Sequence, residues 1–133
     1  MFCFLGVSTN GLPYNDLYMP NQMGSAGGGH TSTAGKGGGR IAANIKITCH
    51  IDGDLSANGG DATLNGQYVG GGGSGGSILL NCTVLKGYGT VAAKGGDGSY
   101  YYYRNPHNGH VTQRGGGGGG GGRLGTYFQV IKN

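Results

Sequence analysis

Three groups of side chains in this sequence have types and spacings that invite a chemical reading. The first is acidic: Asp52 and Asp54 flank Gly53, and Asp61 and Asp97 each close a Gly-Gly-Asp triplet. Calcium takes six to eight oxygens, several from carboxylates, so these four are its candidate ligands. The calcium-binding nonapeptide repeats read G-G-x-G-x-D-x-U-x, and neither copy here keeps that spacing. Aspartate also forms turns by bonding its own backbone, and that is the reading taken; no metal is expected. The second group is aromatic: Tyr100, Tyr101, Tyr102 and Tyr103 run together into Arg104. In an extended segment their rings point alternately to two sides, and tyrosine gives rigid, amphipathic contact area at small entropic cost. They suit either a sugar-stacking or protein-contact surface, or packing on the flank of the fold. His107 and His110 follow with no third ligand for zinc. The third is Asn81-Cys82-Thr83, which fits the N-glycosylation acceptor pattern. Asn81 faces solvent if Leu80 and Cys82 face inward. No serine, cysteine or histidine falls beside a base and an acid as a nucleophile would require, so neither catalysis nor a cofactor is expected.

The background composition narrows the classes further. Charged residues are 11% of the chain, with nine lysines and arginines, five aspartates and a net charge of +4. The basic residues are scattered singly, so no nucleic-acid or membrane patch is read from them, and the charge is too low to keep the chain unfolded by repulsion. Arg114-Gly115-Gly116 is a single RGG without partners. The phosphate-loop pattern fails because Gly35-Lys36 is followed by Gly37 and His30 stands where the first glycine belongs. The three cysteines, Cys3, Cys49 and Cys82, are too few for a disulfide framework. Cys49 and Cys82 sit within apolar runs, where a free thiol acts as a small hydrophobe. No run approaches the roughly 18 apolar residues of a membrane span, and Met1–Gly6 lacks the basic start of a signal peptide.

What positions these groups is a repeat. Residues 53–61 (Gly-Asp-Leu-Ser-Ala-Asn-Gly-Gly-Asp) align with 89–97 (Gly-Thr-Val-Ala-Ala-Lys-Gly-Gly-Asp) at an offset of 36. Upstream of the first copy lie Ile41, Ile45, Ile47, Cys49 and Ile51, and upstream of the second Ile78, Leu80, Cys82 and Val84. Each stretch is preceded by a glycine block, 37–39 and 70–76. A third copy begins with the unbroken glycines Gly115 to Gly122 and continues into Leu124, Thr126, Phe128 and Val130. Alternation of this length predicts strands, the β-branched content agrees, and a period of 20 to 50 residues marks a repeat architecture.

Glycine is 35 of 133 residues, against about 7% in an average protein. Blocks recurring at fixed places beside strands point to order: glycine fits where backbones approach closely, either at corners or in extended, polyproline-II-like segments bonded to one another. The expected fold is all-β, a right-handed parallel β-solenoid of about three turns. Residues 1–23 form an irregular cap or the tail of a preceding turn, and 24–133 the glycine-rich repeat domain with an inserted tyrosine-rich loop at 99–114. Its inward residues would be Ile45, Ile47, Cys49, Leu55, Ile78, Leu80, Cys82, Val84, Val91, Leu124 and Phe128.

Gly70-Gly71-Gly72-Gly73-Ser74-Gly75-Gly76-Ser77-Ile78, then Leu85, Gly87, Gly89, Val91, Ala93, Gly95, Gly96 and Gly98 in alternation, then Gly122-Arg123-Leu124, resemble a widespread group of glycine-rich extracellular repeat proteins. The resemblance spans about residues 24 to 130. It implies a parallel β-solenoid and a structural or adhesive role, and carries over no catalytic residue. The expectation is a structural subunit of an extracellular or cell-surface assembly such as a fibre, sheath or adhesin. It would self-associate through open solenoid ends with itself or with a longer copy of the same repeat. The alternative is a carbohydrate- or protein-binding module using the tyrosine loop.

Overall fold

The computed structural model describes residues 19–127 together with 130 and 131. Among them the chain forms strands and no helix: β1 (Arg40–His50), β2 (Asp54–Ser56), β3 (Ser77–Lys86), β4 (Thr90–Ala92), β5 (Tyr100–Arg104), β6 (Val111–Gly115), β7 (Arg123–Tyr127) and β8 (Val130–Ile131). β3 is the centre of the largest sheet. It pairs in parallel with β1 on one side and with β7, then β8, on the other. The short β2 and β4 form a parallel pair of their own, and β5 and β6 an antiparallel hairpin.

The apolar core lies between the first two sheets. Ile78 and Leu80 alternate on β3 and are buried with Ala57, and Ile41, Ala43, Ile51, Leu55, Val91 and Ala93 pack around them. Burying an isoleucine or leucine side chain stabilises by about 1.5–3 kcal/mol, so this core is real but small. Cys49 and Cys82 are buried as expected. Ile45 and Ile47 are not: they are 40% and 73% exposed. The pairing runs Ile45↔Cys82 and then Thr48↔Val84, so Lys46 and Ile47 together oppose Thr83. That is a β-bulge, and it breaks the inward–outward alternation of β1 at this point. Leu124 pairs with fully buried Ile78 yet is 53% exposed; among the described residues the two-stranded β2–β4 layer has no third strand to lie beneath β7. Phe128 lies outside the described residues.

The right-handed parallel β-solenoid of about three turns is not what the chain builds. The sheets are small and of mixed sense, and the tyrosine-rich loop at 99–114 is largely an antiparallel hairpin. The reason lies in the glycine blocks, which are not corners between stacked turns. They run as separate extended segments, 24–29, 33–39, 57–62, 70–76, 93–99 and 116–122, bonded side by side in both directions.

Segment 70–76 is the axis of this bundle, with every residue buried except half-buried Ser74. Its amides donate to three neighbours: Gly71 and Ser74 to Gly28 and Ser25, Gly72 and Gly75 to Gly117 and Gly120, Gly73 and Gly76 to Gly60 and Ala57. Its carbonyls accept from two more: Gly71 and Ser74 from Gly35 and Gly38, and Gly70 and Gly73 from Ser99 and Gly96. Partners change with every residue and recur every third, the signature of an extended helix with three residues per turn. The same period governs space. A Cβ at Gly70, Gly73 or Gly76 would meet the carbonyl of Thr33, Lys36 or Gly39, and one at Gly116, Gly119 or Gly122 the carbonyl of Gly70, Gly73 or Gly76. At such positions no side chain fits.

Outside the bundle, Met19–Met23 run beside the large sheet. Pro20 lies against Gly125, and the Ser77 hydroxyl donates to the Gln22 carbonyl. Gly87, with φ 117°, makes the reversal from β3 towards β4 that a residue with a Cβ rarely adopts.

Gly73→Ala, which drives a methyl group into the Lys36 carbonyl, is expected to cost about 3 kcal/mol, the upper end of overpacking penalties, or to prevent folding. Gly53→Ala, where a Cβ meets nothing within 4 Å, stays within about 0.5 kcal/mol of the parent. Thermal unfolding by circular dichroism measures both.

Candidate functional site

Asp52 and Asp61, with Asn58, face the next copy of the repeat. Asp52 Oδ1 accepts from the Tyr88 amide at 3.2 Å, Asp61 Oδ1 from the Asp97 amide at 2.8 Å, and Asn58 Oδ1 from the Lys94 amide at 2.7 Å, each across 36 residues. These side chains tie one copy to its neighbour. Asp52 also lies 2.9 Å from His50 Nε2, an ion pair when the imidazole is protonated. Asp54 opens β2 and is exposed. Among the described residues no three His, Cys, Asp or Glu side chains come together as a metal site.

The tyrosines form β5. Tyr100, Tyr102 and Tyr103 are 58%, 54% and 46% exposed, and Tyr101 is half-buried. Opposite them on β6 stand Gly115, Arg114, Gln113 and Thr112, and Arg104 faces Val111. The alternation puts Tyr100 and Tyr102 on one face and Tyr101 and Tyr103 on the other. The hairpin's loop is held by its own polar groups: the Asn105 side chain accepts from the His107 amide at 2.8 Å and the Asn108 side chain from the His110 amide at 2.9 Å. His107 and His110 are exposed members of that turn. The hairpin thus carries tyrosines on both faces, with Arg104 in phase with Tyr100 and Tyr102 and Arg114 opposite Tyr101.

Asn81 is exposed at the middle of β3. It pairs in register with Asn44 on β1 and Tyr127 on β7, and the three residues help line a shallow cavity of about 390 Å³ with Thr83 and Thr126. The Thr83 hydroxyl donates to the Lys46 carbonyl at 2.8 Å. This polar row was hidden in the sequence, although Ile41-Ala42-Ala43-Asn44 and Ile78-Leu79-Leu80-Asn81 place an asparagine at the same point of both copies. On the opposite face, Cys49 and Cys82 are free, buried thiols. Burial, with the Cys82 thiol beside it, pushes the Cys49 thiol up to about 11.

A second cavity, of about 530 Å³, is a groove made almost wholly of backbone. Ser25–Gly29 form one wall, Gly115–Gly120 the other, and 69–72 with Ser74 the floor. No sequence feature singled it out, because its lining carries almost no side chains. No family model, curated protein or solved structure matches the chain.

The nucleophile of a cysteine is its thiolate, so Cys49 is expected to resist iodoacetamide below about pH 10 in the native protein and to react once unfolded, with mass spectrometry of its peptide as the measurement. Because the folded state holds this thiol protonated, its contribution to stability is present below the thiol's ordinary value of 9.0 and falls as the pH rises from there through about 11. Rapid alkylation of native Cys49 at pH 7.5 would contradict this assignment.

Proposed function

We propose that the chain is a structural subunit of an extracellular or cell-surface assembly, a fibre, sheath or adhesin, joined to copies of itself or to a longer copy of the same repeat. The observation that supports this most is the supply of backbone hydrogen-bonding surface left open at the rims of a rigid framework. β1 pairs with β3 on one side and with no described strand on the other, and exposed Ile45 and Ile47 lie along it. An unprotected edge strand of this length readily pairs with another chain. Interlocked glycine segments and side chains that bond one repeat to the next make a stiff unit with little titratable machinery. The resemblance to glycine-rich extracellular repeat proteins and the exposed acceptor Asn81 favour the outside of the cell. Neither nucleic acid nor membrane insertion is part of this reading.

A second reading, a glycan-binding module, is favoured by one observation: three of the four consecutive tyrosines of β5, Tyr100, Tyr102 and Tyr103, stand about half exposed on the β5–β6 hairpin. Aromatic faces of this kind stack on sugar rings, and the paired strands would hold them in place.

Sedimentation velocity over a concentration series, with electron microscopy, tests the first reading; species larger than the monomer are expected, and only monomers at the highest concentration would overturn it. For the second, replacing Tyr100–Tyr103 by alanine is expected to abolish binding on a glycan array while circular dichroism is unchanged, and an unaltered protein that binds no glycan disposes of it.

A further inference from the structure

The two faces of the β5–β6 hairpin differ. Residues directly opposite each other in an antiparallel pair share a face. One face therefore carries Tyr101, Tyr103, Thr112 and Arg114, and the other Tyr100, Tyr102, Arg104, Val111 and Gln113. The first is turned towards the rest of the chain: Tyr101 and Thr112 are half-buried, and Arg114 Nη1 reaches the Gln67 carbonyl at 3.5 Å. On the second all five side chains are exposed. Tyr100 stands opposite Gly115, and a Cβ on that glycine would lie 3.5 Å from the ring's Cδ2. An aromatic ring opposite a glycine settles across the bare backbone. Tyr100 is thus supported from beneath while 58% of it stays exposed.

This exposed face is held at both ends. At its root the Ser99 amide donates to the Gly70 carbonyl at 2.9 Å, the Gly70 amide to Ser99 Oγ at 2.8 Å, and the Gly116 amide to the Ser99 carbonyl at 2.8 Å. At its tip the Asn105 amide donates to the His110 carbonyl at 2.8 Å and the Gly109 amide to the Asn105 carbonyl at 2.9 Å. A surface ordered in advance loses little freedom when a ligand arrives. Charge is the second, independent sign. Residues 99–116 hold Arg104 and Arg114 and no acid, so this short hairpin supplies half of the chain's net charge of +4. Arg104 is exposed, and its guanidinium makes no hydrogen bond or ion pair among the described residues. A guanidinium takes a carboxylate or sulfate through two parallel bonds.

We infer that this face binds an acidic polysaccharide, with sugar rings stacked on Tyr100 and Tyr102 and a carboxylate or sulfate of the same chain on Arg104. This rests on the glycan-binding reading above and specifies the class of ligand. Successive side chains on one face of a strand are about 7 Å apart, so Tyr100 to Arg104 spans about 14 Å. That is longer than one sugar ring and fits an extended oligosaccharide. A sugar ring has an apolar C–H face for the tyrosines and hydroxyls at its edge. The Gln113 amide, opposite Tyr102, can both donate to and accept from those hydroxyls. Nucleic acid is the other polyanion that stacks on aromatic rings, but it needs a positive groove that tracks its backbone. Arg104 and Arg114 lie on opposite faces of the hairpin and make no such groove.

The test presents the full chain to an array of neutral, uronate-bearing and sulfate-bearing glycans, and titrates the tightest of them calorimetrically. Acidic glycans are expected to bind and their neutral counterparts not, with the uronate and sulfate arms separating the two anions that Arg104 could take. Arg104→Gln is expected to weaken binding about 10-fold and to flatten its salt dependence. Tyr100→Ala/Tyr102→Ala weakens it by about 100-fold, while Tyr103→Ala, on the other face, stays within about twofold of the parent. Circular dichroism checks each fold; should the double variant not fold, Arg104→Gln decides alone. Binding confined to neutral glycans, or acidic binding that Arg104→Gln leaves unchanged, overturns this proposal and leaves the glycan reading standing. Equal binding of a single-stranded oligodeoxynucleotide overturns it as mere attraction to polyanions. A chain that binds no glycan overturns both.

Discussion

The structure depends on peptide groups reaching one another without side chains between them. In a sheet each strand has two neighbours in its hydrogen-bonding plane and side chains above and below. In the glycine bundle an extended rod bonds in up to six directions, and the core of the packing is backbone itself. Each such bond contributes only about 1 kcal/mol net, and ordering a residue costs about 1–2 kcal/mol. The bundle is therefore close to neutral taken alone. It persists because it is continuous with strands that bury Ile78 and Leu80: 33–39 runs into β1, 70–76 into β3 and 116–122 into β7. Fixing one fixes the register of the other.

This coupling explains the arrangement of polar side chains at the turns. The repeat places Asp52, Asn58 and Asp61 where the next copy presents the Tyr88, Lys94 and Asp97 amides. Those amides lie at the rim, where a rod or strand has run out of backbone partners. A short acceptor side chain completes the ladder there, so Asp52 and Asp61, two of the four aspartates that look like metal ligands, serve as substitutes for backbone carbonyls. The β1 bulge has a related cause. The β1–β3 offset drops by one residue across Lys46 and Ile47, and this brings the pairing onto the 36-residue step that Asp52 and the β2–β4 pair keep.

What could be read from the residues was whatever depends on period and volume. The repeat, the strand character of β1 and β3, the burial of Cys49, Ile78, Leu80 and Cys82, and glycine as a sign of close approach all follow from local pattern. The solenoid did not follow, because a repeat says that copies are equivalent and not which way the connecting segments run. The signal that separates corners from rods is the three-residue spacing within the blocks, as in Gly35-x-x-Gly38 and Gly24-x-x-Gly27, and where glycine is nearly continuous that spacing cannot be seen. Ile47 was misplaced by a bulge that alternation alone cannot reveal. Leu124 was misplaced because its burial needed a third short strand beneath β7. The tyrosine hairpin and the aspartates were legible as features, but their surroundings were not.

The hairpin β5–β6 has a further structural consequence. The first two copies are stacked almost in step, whereas Ser77 pairs with Arg123 on the third side after the chain has detoured through Tyr100–Gly115. The Ser99 amide donates to the Gly70 carbonyl and the Gly116 amide to the Ser99 carbonyl, so the detour leaves and re-enters the bundle at one point. Segments 93–99 and 116–122 are thereby laid antiparallel beside the axis. The two earlier copies reverse in the same way: 24–29 and 57–62 run antiparallel to the axis, and the short connections 30–32 and 63–69 lead into 33–39 and 70–76, which run parallel to each other. The hairpin stands where those copies have a short turn, so it lengthens the connection of the third without changing the directions of its rods.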